Sequence, residues 1–148
     1  MWPYIPNVLQ ALAMLFDEFH FHEKRELPQW ERLGHPLDTL SVLICFSFII
    51  FFPYSIYNLR FYIFFCVFSC LFITKDEFVH TQHCPALENW LHSILFILHP
   101  LTFIGAGFLW STGKGHLFLQ TQTIVILIFM FYQIIRWNIK WKFSNQKN

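Results

Sequence analysis

Four long apolar runs constrain this chain more than any other feature of its sequence. They cover about residues 39–57, 61–74, 90–110 and 117–137. A helix that crosses a bilayer needs roughly 20 consecutive apolar residues, so the first two runs predict short spans, joined by a tight turn near residues 57–60. The second helix is expected to continue beyond the membrane to about His83. The sequence therefore predicts an all-α, polytopic helical bundle with four transmembrane helices.

A fifth helix is predicted over residues 4–24, where apolar side chains recur at helical spacing. Its apolar part is short and contains Gln10, so we expect it to lie in the membrane interface or to span the bilayer only partly. The first residues lack the positive stretch and cleavage site of a signal peptide, so we expect the N-terminus to be retained.

The composition agrees with a membrane protein. Apolar residues make up 55% of the 148 and charged residues 13%, about half the charged share of soluble domains. The formal net charge is +1, and no basic stripe or motif indicates a nucleic-acid partner. This length predicts a single membrane domain.

The distribution of lysine and arginine predicts the orientation. Arg60 and Lys114 fall on one side of the predicted bundle, and eight basic residues fall on the other: Lys24, Arg25, Arg32, Lys75, Arg136, Lys140, Lys142 and Lys147. Cytoplasmic loops carry the excess of such residues. We therefore expect an inner-membrane or plasma-membrane protein whose larger basic group and C-terminus are cytoplasmic.

Seven of the eight histidines lie in or near three polar windows, at residues 17–38, 76–83 and 88–99. Most of these residues fall at the predicted cytoplasmic face. Carboxylates accompany the histidines at helical spacing, in the pairs Glu18 and His22, Glu77 and His80, and Glu88 and His92. Residues three or four apart share a helix face. Imidazole and carboxylate groups on facing helices are the means by which helical bundles hold two metal ions.

The polar windows also resemble one another. Asp17-Glu18-Phe19 recurs as Asp76-Glu77-Phe78, and Pro28-x-x-Glu31-x-x-x-His35 recurs as Pro85-x-x-Glu88-x-x-x-His92. This order predicts an internal duplication of a helix-turn-helix unit, with one copy over about residues 4–58, a second over about 59–110, and a C-terminal helix over about 117–140. A rival register matches His35-Pro36-Leu37 with His99-Pro100-Leu101.

The predicted metal ligands are drawn from both copies. They are Glu18, His22, Glu31, His35, Glu77, His80, Glu88 and His92. Additional ligands, or hydrogen-bond partners of ligands, are expected among Asp17, His20, Asp38, Asp76, His83 and His99. Mixed imidazole and carboxylate ligation suits iron, manganese or zinc, and a ligand histidine needs an acceptor for its second nitrogen, a role that fits Asp17 and Asp76.

Several of these residues have competing interpretations. In the first helix, either Glu18 with His22 or Asp17 with His20 is expected to face inward. Proline disfavours helical geometry in the residue before it, so Glu31 and His35 need not share a helical face. Asp38 is equally suited to capping a helix.

The remaining polar and basic residues also have alternatives to a place in the site. His99 is a ligand, a haem-type axial residue or a hydrogen-bonded core histidine. Arg32, with the charged residues 23–26, is expected to be solvated, and the basic and aromatic stretch at residues 136–143 to be an interfacial anchor.

The Glu77-x-x-His80, Glu88-x-x-x-His92 and Glu18-to-His22 elements resemble those of membrane-bound di-iron carboxylate and histidine proteins, a class that includes alternative oxidases, fatty-acid desaturases and hydroxylases. The resemblance covers about a third of the chain, which is shorter than those enzymes and lacks the HxxHH box of desaturases. It implies a dinuclear, iron-containing oxidoreductase acting on a lipid-soluble substrate, with an electron donor or partner subunit. Zinc-dependent lipid hydrolysis and a non-enzymatic haem- or metal-binding subunit are the alternatives.

Overall fold

A computed structural model of the protein describes residues 1–22, 29–76 and 85–140, except for the side chains of Asp76 and Lys140. Its regular structure is helical, which confirms the predicted all-α class. The five α-helices are α1 (Ile5–Phe16), α2 (Gln29–Phe51), α3 (Ile56–Ile73), α4 (Ala86–Ser111) and α5 (His116–Ile134). Short 3₁₀ or π turns flank them at Trp2–Tyr4, Asp17–Phe21, Thr74–Asp76 and Ile135–Lys140.

Four of these helices are long and apolar enough to cross a membrane, as predicted. The first is longer than its apolar run indicated, because α2 begins at Gln29 and carries a polar first turn into the bundle. The turn after α2 also lies earlier than expected. Ser55 caps α3 by accepting a hydrogen bond from the backbone N–H of Asn58 at 3.1 Å, so Tyr57 and Arg60 belong to the helix.

The short first helix lies antiparallel to α4 along its whole length. Trp2 contacts Phe108 at one end, Gln10 contacts His99 near the middle, and Asp17 contacts His92 at the other end. The 16 residues from His92 to Phe108 span about 24 Å at 1.5 Å per residue. This pairing places α1 within the bundle beside a membrane span and not flat on the interface.

The remaining helices complete the bundle through α2, which packs against both α3 and α5. The α1–α4 and α2–α3 pairings are those expected if two helical hairpins are related by an approximate two-fold axis. The internal duplication nevertheless stays a prediction, because residues 77–84, which include all but the first residue of the second polar window, lie outside the described residues.

The apolar core occupies one half of the bundle. Its fully buried members include Cys45 and Phe46 of α2 and Phe103 and Ala106 of α4. The Tyr62 hydroxyl within this half is paired: it donates to the carbonyl of Phe103 at 2.9 Å. This pairing matters because an unsatisfied polar group in hydrocarbon costs several kcal/mol. The other half contains most of the predicted ligands.

The helix α2 continues through Pro36, although proline disfavours helical geometry in the residue before it. Proline has no N–H, and it leaves the carbonyl four residues earlier without its helical donor. That carbonyl belongs to Arg32, and the side-chain amide of Asn138 donates to it at 3.1 Å. A partner from the end of the chain thus compensates for the proline, and Glu31 and His35 lie on one helix.

Candidate metal centre

The end of the first helix turns two neighbouring carboxylates and a histidine into the bundle. From Asp17 to Phe21 the backbone forms a π-helical turn, in which the N–H of His22 donates to the carbonyl of Asp17. A π turn holds more residues than an α turn. Asp17, Glu18 and His22 are all buried, while His20 is exposed and stacks on Phe16.

A first group of donors comprises Asp17, His22, Glu88 and His92, and all four residues are buried. One ligand atom from each residue can be chosen so that all four lie within 4.8 Å of one another. The Nε2 atom of His22 lies 3.5 Å from Asp17 Oδ2 and 3.5 Å from Glu88 Oε1. The Nε2 atom of His92 lies 3.2 Å from Asp17 Oδ1.

These separations are those of atoms that share one metal ion. Two ligand atoms that each lie about 2.1 Å from an ion are about 3.0 Å apart in octahedral geometry and about 3.4 Å apart in tetrahedral geometry. The three measured distances, from 3.2 to 3.5 Å, fall close to this range. Both ring nitrogens of His22 face carboxylates: Nδ1 lies 3.7 Å from Glu18 Oε2, and Nε2 lies 3.5 Å from Glu88 Oε1. The arrangement therefore fits a metal ion.

A second group of donors, Glu31 and His35 of α2 together with His22, adjoins the first. The rings of His22 and His35 are 4.5 Å apart between centroids. Glu31, 1% exposed, lies in the first turn of α2, and Glu88, 0% exposed, lies in that of α4. The positive ends of two helix dipoles thus favour these two carboxylates in their charged form.

Four carboxyl groups are buried at this end of the bundle: Asp17, Glu18, Glu31 and Glu88. Burial alone would lower the pKa of His22. Hydrogen bonding to Glu18 and Glu88, with the charge of Asp17, outweighs burial and raises that pKa to about 10. Without metal, His22 therefore carries a proton at neutral pH. A bound cation would replace this charge.

Glu18 is held by residues from the end of the chain. The side-chain amide of Gln133 donates to Glu18 Oε2 at 3.2 Å, and the indole N–H of Trp137 donates to Oε1. Gln133 in turn accepts a hydrogen bond from the Thr39 hydroxyl at 2.7 Å. These hydrogen bonds fix the orientation of the Glu18 carboxylate. Its Oε2 atom lies 3.7 Å from Nδ1 of His22.

A cavity of about 90 Å³ extends from the donor groups toward the middle of the bundle. Asp17 and three predicted ligands, Glu18, His35 and His92, line one end of the cavity. Gln10 and His99 line it deeper in the bundle. His99 follows His92 by seven residues, which is about 10 Å along a helix. Most other lining residues are apolar. The candidate centre therefore adjoins a space that accepts a small apolar group.

His99 is buried and makes hydrogen bonds through both ring nitrogens. The Ser41 hydroxyl donates to the carbonyl of Asp38 at 2.7 Å. Because its proton is used there, Ser41 accepts from the Ser69 hydroxyl at 2.7 Å. Ser69 in turn accepts from Nε2 of His99 at 3.0 Å. The Nδ1 atom of His99 then accepts from the amide of Gln10 at 2.8 Å. Both ring nitrogens are engaged, and neither is left for a metal or a haem.

Six of the eight predicted ligands lie together at one end of the bundle: Glu18, His22, Glu31, His35, Glu88 and His92. Glu77 and His80 lie outside the described residues, as do His83 and the side chain of Asp76. Asp38 lies inside α2 and pairs with Lys75, so it caps no helix. Asp17 offers an oxygen directly to the donor group, besides accepting from His92.

One expectation about the surrounding residues is wrong. Arg32 is buried and not solvated, because α2 begins early and Asn138 holds its backbone. Trp137, within the predicted interfacial stretch, is buried against Glu18. The sequence offers one indication that Gln133 belongs to the site, because it is an isolated amide within an apolar run. Thr39 and Trp137 gave none, because their partners lie about a hundred residues away in the sequence.

Comparisons with protein-family models, with curated proteins and with solved structures find no match to this chain. The buried histidine and carboxylate cluster and its geometry therefore carry the functional interpretation alone.

Proposed function

We propose that this protein is a membrane metalloenzyme that oxidises or hydroxylates a lipid-soluble substrate at a dinuclear iron centre on the cytoplasmic side. The observation that carries the proposal is the position of His22 between two donor groups. It belongs both to the group with Asp17, Glu88 and His92 and to the group with Glu31 and His35. Two neighbouring groups favour two ions.

The donor chemistry supports iron as the metal. Carboxylates outnumber imidazoles, with Asp17, Glu18, Glu31 and Glu88 against His22, His35 and His92. In helical bundles such a carboxylate-rich set, with histidines on the same helices, holds pairs of iron or manganese ions. Thiolates, which would favour copper(I) or iron–sulfur clusters, are not among the donors that these groups bring together.

The surroundings support a redox reaction on an apolar molecule. The cavity beside the donors is lined by Met14, Val42, Leu95, Phe96 and Phe129, and such walls favour hydrocarbon over charged substrates. Iron, when bound, would supply the electron transfer. The chain's own residues hold the ions, orient Glu18 and exclude bulk water. An electron donor is a required partner.

The decisive experiment is elemental analysis of the purified, detergent-solubilised protein, combined with absorption and Mössbauer spectroscopy. We expect about two iron atoms per chain, no Soret band, and a spin-coupled pair of ions. A Soret band would replace the proposal with a haem-binding role. Absence of stoichiometric metal, after growth with iron, manganese and zinc supplied in turn, would refute a metal centre.

A second candidate is a zinc-dependent lipid hydrolase. The first donor group by itself offers two imidazoles and two carboxylates, which suits one zinc ion, and Glu18 lies beside His22 as a carboxylate able to take a proton. One zinc per chain, with hydrolysis of a lipid ester and no iron, would favour this candidate over the first.

A further inference from the structure

Two cavities meet along the inner face of the bundle. The first, about 90 Å³, adjoins the candidate metal centre, and the second, about 60 Å³, lies beside it. Three residues line both of them: Met14, Val42 and Phe129. These side chains are therefore a shared wall, and movement of the wall would join the cavities into one passage.

The second cavity lies between α1 and α5. Helix α1 pairs with α4, and α5 pairs with α2, whereas α1 and α5 share no extensive packing within the described ranges. Ala11 and Leu15 of α1 and Val125 and Ile126 of α5 line this cavity. Leu15 and Val125 are also exposed on the outer surface, which hydrocarbon covers in a membrane. The α1–α5 gap is thus the side of the cavity nearest to lipid.

We propose that an unbranched alkyl chain of a membrane lipid enters between α1 and α5, passes Met14 and Phe129, and reaches the donor groups. This inference rests on the proposed function for its chemistry and names the substrate class of that reaction. The passage itself is formed by side chains and needs no metal ion.

The sizes of the cavities select a chain over a ring. An apolar cavity of about 150 Å³ binds benzene, and each of these cavities, at about 90 and about 60 Å³, is smaller. A linear chain can occupy two small cavities in series, whereas a fused ring system cannot. Methionine is the most adaptable apolar side chain, so Met14 can move aside at low cost.

A larger groove elsewhere is a poorer candidate for this substrate. It has a volume of about 580 Å³ and lies between α3 and α4, lined by residues such as Cys66, Cys70 and Ile104. It shares no lining residue with either of the two cavities. Lipid bound in this groove would have no path to the donor groups. Labelling of the groove therefore serves as an internal reference for nonspecific labelling.

The test is photolabelling of the full chain in nanodiscs with lauric acid that carries a diazirine at its terminal carbon. Mass spectrometry should place label on Met14, Val42 or Phe129. The substitution Ala11→Phe places a bulky ring in the second cavity and should lower this labelling about tenfold. Labelling of the α3–α4 groove should not change.

Ala13→Phe is the matched control. It makes the same substitution on the same helix, two residues further on, at a position that lines neither cavity. It should leave labelling of Met14 and Phe129 intact. Equal labelling in the wild type and both variants, or label confined to the outer surface, would overturn the inference.

A second variant guards against misfolding of Ala11→Phe. Phe129→Ala removes part of the shared wall and should admit a photoactivatable cholesterol, which should not label Met14 in the wild type. Sterol labelling of wild-type Met14 at the level of the fatty acid would refute the selection of a chain over a ring.

Metal-stripped protein separates this inference from the proposed function. Treatment with EDTA should leave the labelling pattern unchanged, since side chains alone form the passage. Specific labelling of a protein that never binds metal would refute the metal centre and support the passage. Stoichiometric iron with no labelling that depends on Ala11 would do the reverse.

Discussion

At the scale of single residues, His22 is the side chain on which the candidate centre depends. It belongs to both donor groups, and the carboxylates of three residues surround it. We expect His22→Ala to abolish stoichiometric metal binding, because each group loses a ligand. Elemental analysis of the monodisperse variant checks this.

The matched control for that substitution is His20→Ala. His20 lies two residues away, is exposed, and stacks on Phe16 outside the donor groups. Its removal should leave the metal content unchanged. Full metal content in His22→Ala would contradict the assignment of ligands.

Metal binding should release the proton that His22 carries. Its pKa, raised to about 10 by the neighbouring carboxylates against the effect of burial, keeps the ring charged at neutral pH without metal. We expect one proton from this residue per chain loaded, and an affinity that rises about tenfold per pH unit from pH 7 toward 10. Calorimetry in buffers of different ionisation enthalpy measures the release, and His22→Ala should remove it.

The same pKa predicts how the stability of the metal-free protein depends on pH. The folded-state pKa lies above the ordinary value of 6.5. The contribution of His22 to the free energy of unfolding is therefore fully present below about pH 6.5 and is lost as the pH rises through about 10. Thermal unfolding of EDTA-treated protein between these limits checks the direction. Greater stability at the alkaline end would contradict it.

Trp137 should act on the metal through Glu18. Phenylalanine at this position keeps the ring packing but removes the N–H that Glu18 accepts, and loss of such a contact typically lowers metal affinity by about 10–100-fold. Competition with a fluorescent chelator measures the change. Trp90→Phe, at a position 63% exposed, should have no effect, and equal effects in the two variants would exclude a specific role for Trp137.

At the scale of helices, local spacing predicted part of the site and the π turn explains what it missed. Glu18 with His22 and Glu88 with His92 lie four apart on helices, and the structure turns both pairs inward. Asp17 could not be predicted to face inward with Glu18 and His22, because α-helical geometry turns neighbouring residues about 100° apart. The wider π turn relaxes that restriction.

Pro36 shows a second limit of local patterns. The sequence before a proline predicts a helix end, yet Asn138 supplies the donor that the carbonyl of Arg32 loses. We expect Asn138→Leu to lower the free energy of unfolding by about 1–3 kcal/mol, the cost of a buried unsatisfied carbonyl. Reversible unfolding in mixed micelles measures it.

A double-mutant cycle tests this explanation. In a Pro36→Ala background the new backbone N–H can bond to the Arg32 carbonyl, so Asn138→Leu should cost much less. Equal costs in the two backgrounds would show that Asn138 stabilises the bundle in some other way.

At the scale of the whole molecule, the apolar runs were enough to predict a bundle with four spans, whereas its pairing required the structure. The position of α1 beside α4 depends on hydrogen bonds that Asn7 makes with α4 and that Gln10 makes with His99. The two partners in each bond lie about ninety residues apart in the sequence. The bundle places the donor groups near the larger basic group, which includes Arg32, Lys75 and Arg136.

The basic residues predict that this end of the molecule faces the cytoplasm. A fluorescent protein fused after Asn148 should therefore fluoresce. Lys114→Cys, in the loop at the opposite end, should react with a membrane-impermeant maleimide in intact cells. Labelling only after permeabilisation would reverse the assigned orientation.

The hydrogen bonds that Gln133 and Trp137 donate to Glu18 have a consequence for biogenesis. These partners follow Glu18 by 115 and 119 residues, so they are synthesised only after the other four helices. Until α5 inserts, Glu18 lacks both of these donors. We therefore expect the proposed metal centre to load only after α5 is in place.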